Sequence, residues 1–202
     1  MSILRKLFRA TPIPTTDGAF SPSPLAIKLG TSTTTDYDGG AYAKPYTGPK
    51  NRVLMICTEE CNMTMANGKK FSTGNHPVEM GLPMLHLMNA GFEIDIVTPT
   101  GAPVAIETWA MPEDDADVKR LYRHHADSFA NAGNLADFVT HKMNDEAPYA
   151  AVFIPGGHGA MLGLSDNKNV GEVLYWAHEQ DLFTLALCHG PAALLAAKTE
   201  KG

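Results

Sequence analysis

The chain has 202 residues, of which 44% are hydrophobic and 19% charged, with a formal net charge of -6. That length suits one large α/β domain, with or without an extension, and the apolar share supplies a sizeable core and excludes wholesale disorder. The acidic balance argues against a general nucleic-acid binder or a protein that seeks anionic membranes, and no window approaches the ~20 apolar residues of a membrane-spanning helix. Three cysteines, Cys57, Cys61 and Cys188, are too few and odd in number for a disulfide scaffold, so a reducing, cytoplasmic setting is expected.

At the N-terminus, Arg5, Lys6 and Arg9 surround Ile3, Leu4, Leu7 and Phe8, and no acid precedes Asp17. The apolar stretch is too short for a secretory signal, so an ordinary cytosolic start is expected over organelle targeting. Residues 1–50 hold six of the 14 prolines and the Thr-rich run Thr31 to Thr35. Such a segment buries a helix or strand face poorly and reads as a mostly irregular arm lying over a core, with a disordered tail as the alternative. Residues 51–202 read as one α/β domain.

Val53 to Cys57 is a short apolar run, as expected of a parallel strand buried on both faces. His76 to Asn89 is helix-like, with Val78, Leu82, Leu85 and Met88 on one face and Gly91 as its stop. Ile94 to Val97 is a second strand. The charged stretch Glu113 to Asp127 opens as a solvated helix start, and Leu135 to Met143 is a further helix. Ala151 to Ile154 is a third strand, Val170 to Glu179 a helix, Phe183 to Leu187 a fourth strand, and a last helix runs from Pro191 to Lys198. Strand–helix alternation with right-handed crossovers gives a doubly wound parallel sheet with helices on both faces. Sites in such sheets form at the carboxyl ends of strands, which here are Cys57 to Glu60, Pro155 to Gly159 and Cys188 to Gly190.

Cys188 lies between an apolar strand and a predicted helix, in Leu187-Cys188-His189-Gly190-Pro191. A strand–turn–helix elbow there raises the side chain above the sheet, and a helix N-terminus favours the thiolate, so a depressed thiol pKa is expected. The elbow lacks the Gly-x-Ser-x-Gly spacing of hydrolases, and a small buried cysteine is the competing reading. Pro155-Gly156-Gly157-His158-Gly159 suits a tight turn whose N–H groups reach a ligand, and it lacks the marks of phosphate or dinucleotide loops. Glu79, in the first turn of the helix after Asn75-His76-Pro77, is either a helix-dipole partner or a proton shuttle for the thiol. Cys57 reads as core, Cys61 as an exposed thiol, and Met80, Met84 and Met88 as core filler.

The strings Phe71-Ser72-Thr73-Gly74-Asn75-His76-Pro77-Val78-Glu79, Trp109-Ala110-Met111-Pro112, Phe153 to Gly159 and Leu187 to Ala193 resemble the HchA-type branch of the ThiJ/PfpI superfamily, from about Tyr37 onward. That branch contains glutathione-independent glyoxalase III enzymes, also described as protein deglycases and holding chaperones. The resemblance implies a flavodoxin-like fold, a homodimer and no cofactor. It makes Cys188 the nucleophile, Glu79 the general acid/base, His189 the triad histidine, and the N–H groups of Gly157 and His189 an oxyanion hole. Gly156, His158, Asn75 and His76 would line the pocket.

Two departures stand out. The triad aspartate of the family lies beyond the nucleophile helix, and this sequence stops at Gly202, which predicts a bare sheet edge and a His189 without its orienting acid. The metal site of the branch keeps Glu93 and His125 but has Met88 at its first histidine position, so those two residues are only weak metal candidates.

The resulting expectation is conversion of methylglyoxal, a 2-oxoaldehyde, to lactate through a Cys188 hemithioacetal, with deglycase activity on early glycation adducts resting on the same residues. Glycated or unfolded proteins are the macromolecular partners this implies, and nucleic acid only as a glycated substrate. A holding chaperone without catalysis, a PfpI-like cysteine peptidase and a redox sensor at Cys188 are the alternatives.

Overall fold

The computed structural model describes residues 9–198, so the reading of the basic N-terminal segment lies almost wholly outside the described residues. In chain order the elements are β1 (Ile13–Pro14), β2 (Phe20–Ser21), α1 (Pro24–Gly30), β3 (Arg52–Ile56), β4 (Asn62–Thr64) and β5 (Lys70–Ser72). There follow α2 (Pro77–Asn89), β6 (Glu93–Thr98), α3 (Ala116–His124), α4 (Ala126–Ala130), β7 (Gly133–Asn134) and α5 (Leu135–His141). The last are β8 (Tyr149–Ile154), α6 (Lys168–Glu179) and β9 (Phe183–Ala186), with 3-10 turns at Thr108–Ala110, His158–Met161 and Gly190–Ala196.

Strands β7-β6-β3-β8-β9 form a five-stranded sheet, parallel throughout. Its order reverses between β6 and β8, on either side of β3, which is the switch point of a flavodoxin-like doubly wound sheet. Side chains alternate across the pleat. Leu54 and Ile56 of β3 therefore join Val152, Ile154, Leu135, Val173 and Trp176 on one face, while Val53 and Met55 join Phe153, Met80, Met84 and Val118 on the other. Two packed faces explain why β3 and β8 are apolar at nearly every position.

Helix starts follow local chemistry. Asp115 Oδ1 accepts from the backbone N–H of Val118 at 2.9 Å, Asn134 Oδ1 from Ala136 at 2.8 Å and Asn167 Oδ1 from Asn169 at 2.9 Å, each satisfying an otherwise orphaned donor.

The arm is more structured than its proline content suggests. Strands β1 and β2 extend the β4–β5 hairpin into a four-stranded mixed sheet of order β1-β2-β5-β4, and α1 is a short helix capped by Ser23. The rest of the arm is fastened to the core by particular contacts. Tyr46 stacks on Phe92 at 5.2 Å, the Asn89 amide donates to Tyr37 Oη, and the Thr35 hydroxyl donates to Asp115.

The fourth predicted strand forms, but it is not core. Among the described residues β9 pairs only with β8, so Phe183 is 73% exposed and Leu185 38%. The predicted final helix is instead the 3-10 segment Gly190–Ala196.

At the amino ends of three neighbouring strands, Arg52 Nε donates to Asp95 Oδ2 at 2.7 Å, and Tyr149 Oη donates to the same oxygen at 2.6 Å. Burial pushes the Asp95 carboxyl up, but the hydrogen bonds from Arg52 and Tyr149 outweigh it and leave the carboxyl below its ordinary value. A depressed folded-state pKa contributes stability above the unfolded value, about 3.9 for aspartate, that is lost as pH falls through the folded one. Asp95→Asn is therefore expected to lower stability by about 1–3 kcal/mol at pH 7 in urea unfolding, and the deficit should shrink as pH is lowered below about 4.

Candidate active site

The loop after β8 and the elbow after β9 bring the main site together. Cys188 follows β9 with a φ of +51°, a left-handed conformation that a residue with a Cβ adopts only where its surroundings enforce it. Its thiol is exposed, and Sγ lies 3.3 Å from His189 Nδ1.

Gly156 lies against both Cys188 and Glu79. A Cβ at Gly156 would stand 1.8 Å from Glu79 Oε2 and 2.8 Å from the Cβ of Cys188, so a glycine is needed there for the carboxylate and the cysteine to share that space. Glu79 Oε2 is buried with no hydrogen-bond partner. Next in the chain, Gly157 has a φ of +110° and would meet Gly74 O and His76 N at 2.4 Å each if it carried a Cβ. The backbone N–H of His76 donates to Gly156 O at 2.8 Å, and that of Gly159 to Gly74 O at 3.1 Å. The start of α2, with Glu79 in its first turn, is thereby clamped to the loop after β8.

The thiol departs from the sequence expectation. Burial pushes the Cys188 thiol up, and the negative charge of Glu79 pushes it further, while the backbone N–H groups of His189 and Gly157 pull it down without prevailing. The following segment is a short 3-10 turn, not the α-helix whose dipole was expected to favour the thiolate, and burial together with the neighbouring carboxylate raises the thiol.

His158 faces the same site. Its ring lies 4.7 Å from that of His189 and 5.5 Å, edge-on, from Phe71. Its Nδ1 is 2.9 Å from Glu107 Oε1, which also accepts from the Thr73 hydroxyl at 3.0 Å and from the His158 backbone N–H at 3.1 Å. Glu107 is wholly buried. Sequence reasoning missed it; the available signal was one acid inside Val104 to Met111, a run apolar everywhere else but Thr108.

Asn75 and His76, expected to line the pocket, do not meet Cys188. Asn75 is fully buried, and its amide donates to Thr58 O at 3.0 Å and Ala105 O at 2.7 Å while its Oδ1 accepts from Thr58 N at 3.2 Å. It brackets the loops after β3 and β6, because a side chain with both donors and acceptors can close two loops at once. The His76 ring lines a separate cavity of about 310 Å³ with Thr35, Asp36 and Val78. Among the described residues no acid is hydrogen-bonded to His189. Cys57 is buried and burial pushes its thiol far up, whereas Cys61 is exposed.

The metal candidates do not make a site. Glu93 is ion-paired with Arg52 at the start of β6, and His125 lies at the α3–α4 junction against His124 and Phe129. Met88 offers a thioether packed against the core, and no group of three or more metal-ligating side chains occurs among the described residues. This donor set does not fit a divalent metal.

A cysteine raised on a strained elbow at the carboxyl edge of a parallel sheet, with a carboxylate beside it and glycine-loop N–H groups around it, defines a doubly wound α/β protein with a candidate nucleophile site. The sequence pattern of the DJ-1/PfpI family matches residues 71–202, and the chain belongs to that family. Protein/nucleic acid deglycase HchA of Staphylococcus aureus (strain JH9) is 46% identical over 187 residues, covering 93% of this chain and 64% of the relative. The chain therefore spans about 64% of the length of the curated relatives it matches. Among solved structures, Rapid Encystment Protein 24 KDa of Francisella tularensis superposes with a TM-score of 0.63 at 25% identity over 75% of this chain and 64% of that one. Glyoxalase III from Candida albicans superposes at 0.59 and 22% identity over 76% of this chain and 63% of that one, which speaks to the fold alone. No helix among the described residues is long and apolar enough to cross a membrane.

Two outcomes follow from this geometry. Glu79→Gln removes the negative charge beside the thiol, so iodoacetamide should alkylate Cys188 faster at pH 7 than in the parent, with exposed Cys61 as the internal reference by peptide mass spectrometry; an unchanged or slower rate contradicts the coupling. Asn75→Ala strands the Thr58 N–H and two carbonyls and should cost about 2 kcal/mol or more in urea unfolding.

Proposed function

We propose that this chain carries a glutathione-independent glyoxalase III-type activity, in which Cys188 attacks 2-oxoaldehydes such as methylglyoxal and 2-hydroxy acids such as lactate are released. The observation that supports the reading is that the Glu79 carboxylate and Cys188 crowd the same side of Gly156, where a proton carrier would stand beside a nucleophile.

The steps balance without a redox partner. The thiol adds to the aldehyde carbon, forming the C–S bond, and its proton ends on the aldehyde oxygen, giving a hemithioacetal. The N–H groups of Gly157 and His189, which favour negative charge at Cys188, stabilise the oxyanion that precedes it. Glu79 takes the proton from the aldehyde carbon and returns it to the neighbouring carbon through an enediol. The product is a thioester of the 2-hydroxy acid, and water cleaves its C–S bond to restore the thiol. Glutathione is not required, because Cys188 supplies the sulfur.

The same nucleophile and acid/base would release an early glycation adduct from a protein side chain, so deglycase chemistry on proteins or nucleic acids belongs to the same proposal. The overall assignment as lyase or hydrolase follows from which substrate dominates. A homodimer acting in the cytoplasm, with its three cysteines free, is part of the reading.

Methylglyoxal consumption without glutathione, with lactate detected as product, tests it on the parent and on Cys188→Ala, both checked for folding by circular dichroism. Lactate from the parent and at least ~100-fold less from the variant is the expected result. A folded parent that makes no lactate overturns the enzyme reading. Aggregation suppression that survives Cys188→Ala would then identify a holding chaperone.

A further inference from the structure

We propose that Glu107 and His158 form a second proton-transfer unit of this site, with His158 Nε2 as the group that moves the substrate's oxygen proton and Glu107 as its positioning residue. The inference rests on the 2-oxoaldehyde reading given above.

A carboxylate with no exposed surface is costly unless it is compensated. Glu107 has one charge-capable partner among the described residues, His158, and three donors converge on its Oε1 while Oε2 is buried without a partner. An ionised carboxylate only accepts hydrogen bonds, so the contact at 2.9 Å places a proton on His158 Nδ1. That assignment fixes the other ring nitrogen. Nε2 makes no hydrogen bond to protein among the described residues and is not among the buried unpartnered atoms, so it is the ring's open, proton-accepting position. The ring itself is held against His189 and Phe71, and its side chain is 38% exposed. The arrangement is a buried acid, an oriented imidazole and a free nitrogen on the ring next to the His189 ring that meets the Cys188 thiol.

The chemistry requires such a group. Converting the hemithioacetal to the thioester moves two protons, one between carbons and one between oxygens. Glu79 serves the carbons. The hydroxyl on the sulfur-bearing carbon must lose a proton, and the neighbouring carbonyl oxygen must gain one. His189 Nδ1 is engaged with Sγ at 3.3 Å, and the open Nε2 of His158, on the ring 4.7 Å from that of His189, accepts the first proton and delivers it to the second oxygen. No proton or electron is gained or lost overall.

The test uses the full chain with Glu107→Leu, which removes the acceptor, Glu107→Gln, whose amide oxygen still accepts from Thr73 and from His158 and so serves as the rescue, and His158→Gln. Long-range nitrogen–proton correlation of the imidazole rings should show His158 protonated at Nδ1 in the parent and in Glu107→Gln, and shifted toward the Nε2–H tautomer in Glu107→Leu. For lactate formation, Glu107→Leu and His158→Gln should lose on the order of 100-fold in kcat with KM within about twofold, Glu107→Gln should recover most of that loss, and free imidazole should restore part of the rate to His158→Gln. Parent-like kcat in His158→Gln, or an Nδ1–H tautomer retained in a folded Glu107→Leu, overturns the proposal. A parent with no Cys188-dependent lactate sinks the 2-oxoaldehyde reading instead, and the tautomer measurement still decides whether Glu107 sets the protonation of His158.

Discussion

The loop leaving β8 has no room for a side chain at Gly156, Gly157 or Gly159, and much of the molecule is arranged around that constraint. Gly156 lies against both Glu79 and Cys188, Gly157 turns through a positive φ against Gly74 and His76, and Gly159 hydrogen-bonds back to Gly74. Three segments far apart in sequence, the start of α2, the end of β8 and the elbow after β9, thus meet within van der Waals contact. A methyl group at Gly156 would press on the carboxylate and the cysteine, and one at Gly157 or Gly159 on the Gly74–His76 backbone. The site is close-packed backbone first and side-chain chemistry second.

The sheet supplies the rigidity that such an approach needs. Strands β3 and β8 are buried on both faces, and the Arg52–Asp95–Tyr149 cluster fastens β3, β6 and β8 at their amino ends. The carboxyl ends are correspondingly fixed, and loops there inherit the precision of the strands. Asn75 extends the same precision outward by bracketing the loops after β3 and β6. Through Asn75 the first turn of α2, and with it Glu79, is tied to the centre of the fold.

Electrostatics at the site run against the usual picture of a cysteine activated by a helix dipole. Burial and the charge of Glu79 push the Cys188 thiol above its ordinary value. Such a pair suits addition to an aldehyde, where the sulfur attacks as its proton leaves, better than a permanent thiolate would, because a permanent thiolate invites oxidation. Glu107 adds a second acid on the opposite side of the histidine pair, buried where His158 is the partner that can balance its charge.

The amino-acid sequence by itself determined the strand–helix alternation and the three loops that carry chemistry, because apolar runs and glycine–proline punctuation are local signals. Cys188, Glu79 and the Gly156–Gly157 turn were legible for the same reason. Only the tertiary structure decided that Asn75 is a buried bracket rather than a pocket wall, since hydrogen bonding to Thr58 and Ala105 is a matter of non-local contact. It also decided the direction of the Cys188 shift, which depends on burial and on a carboxylate more than 100 residues away in the chain. The exposure of β9 and the burial of Glu107 belong with these: both depend on what lies alongside, and neighbours across a sheet or beneath a loop leave no periodic trace in the sequence.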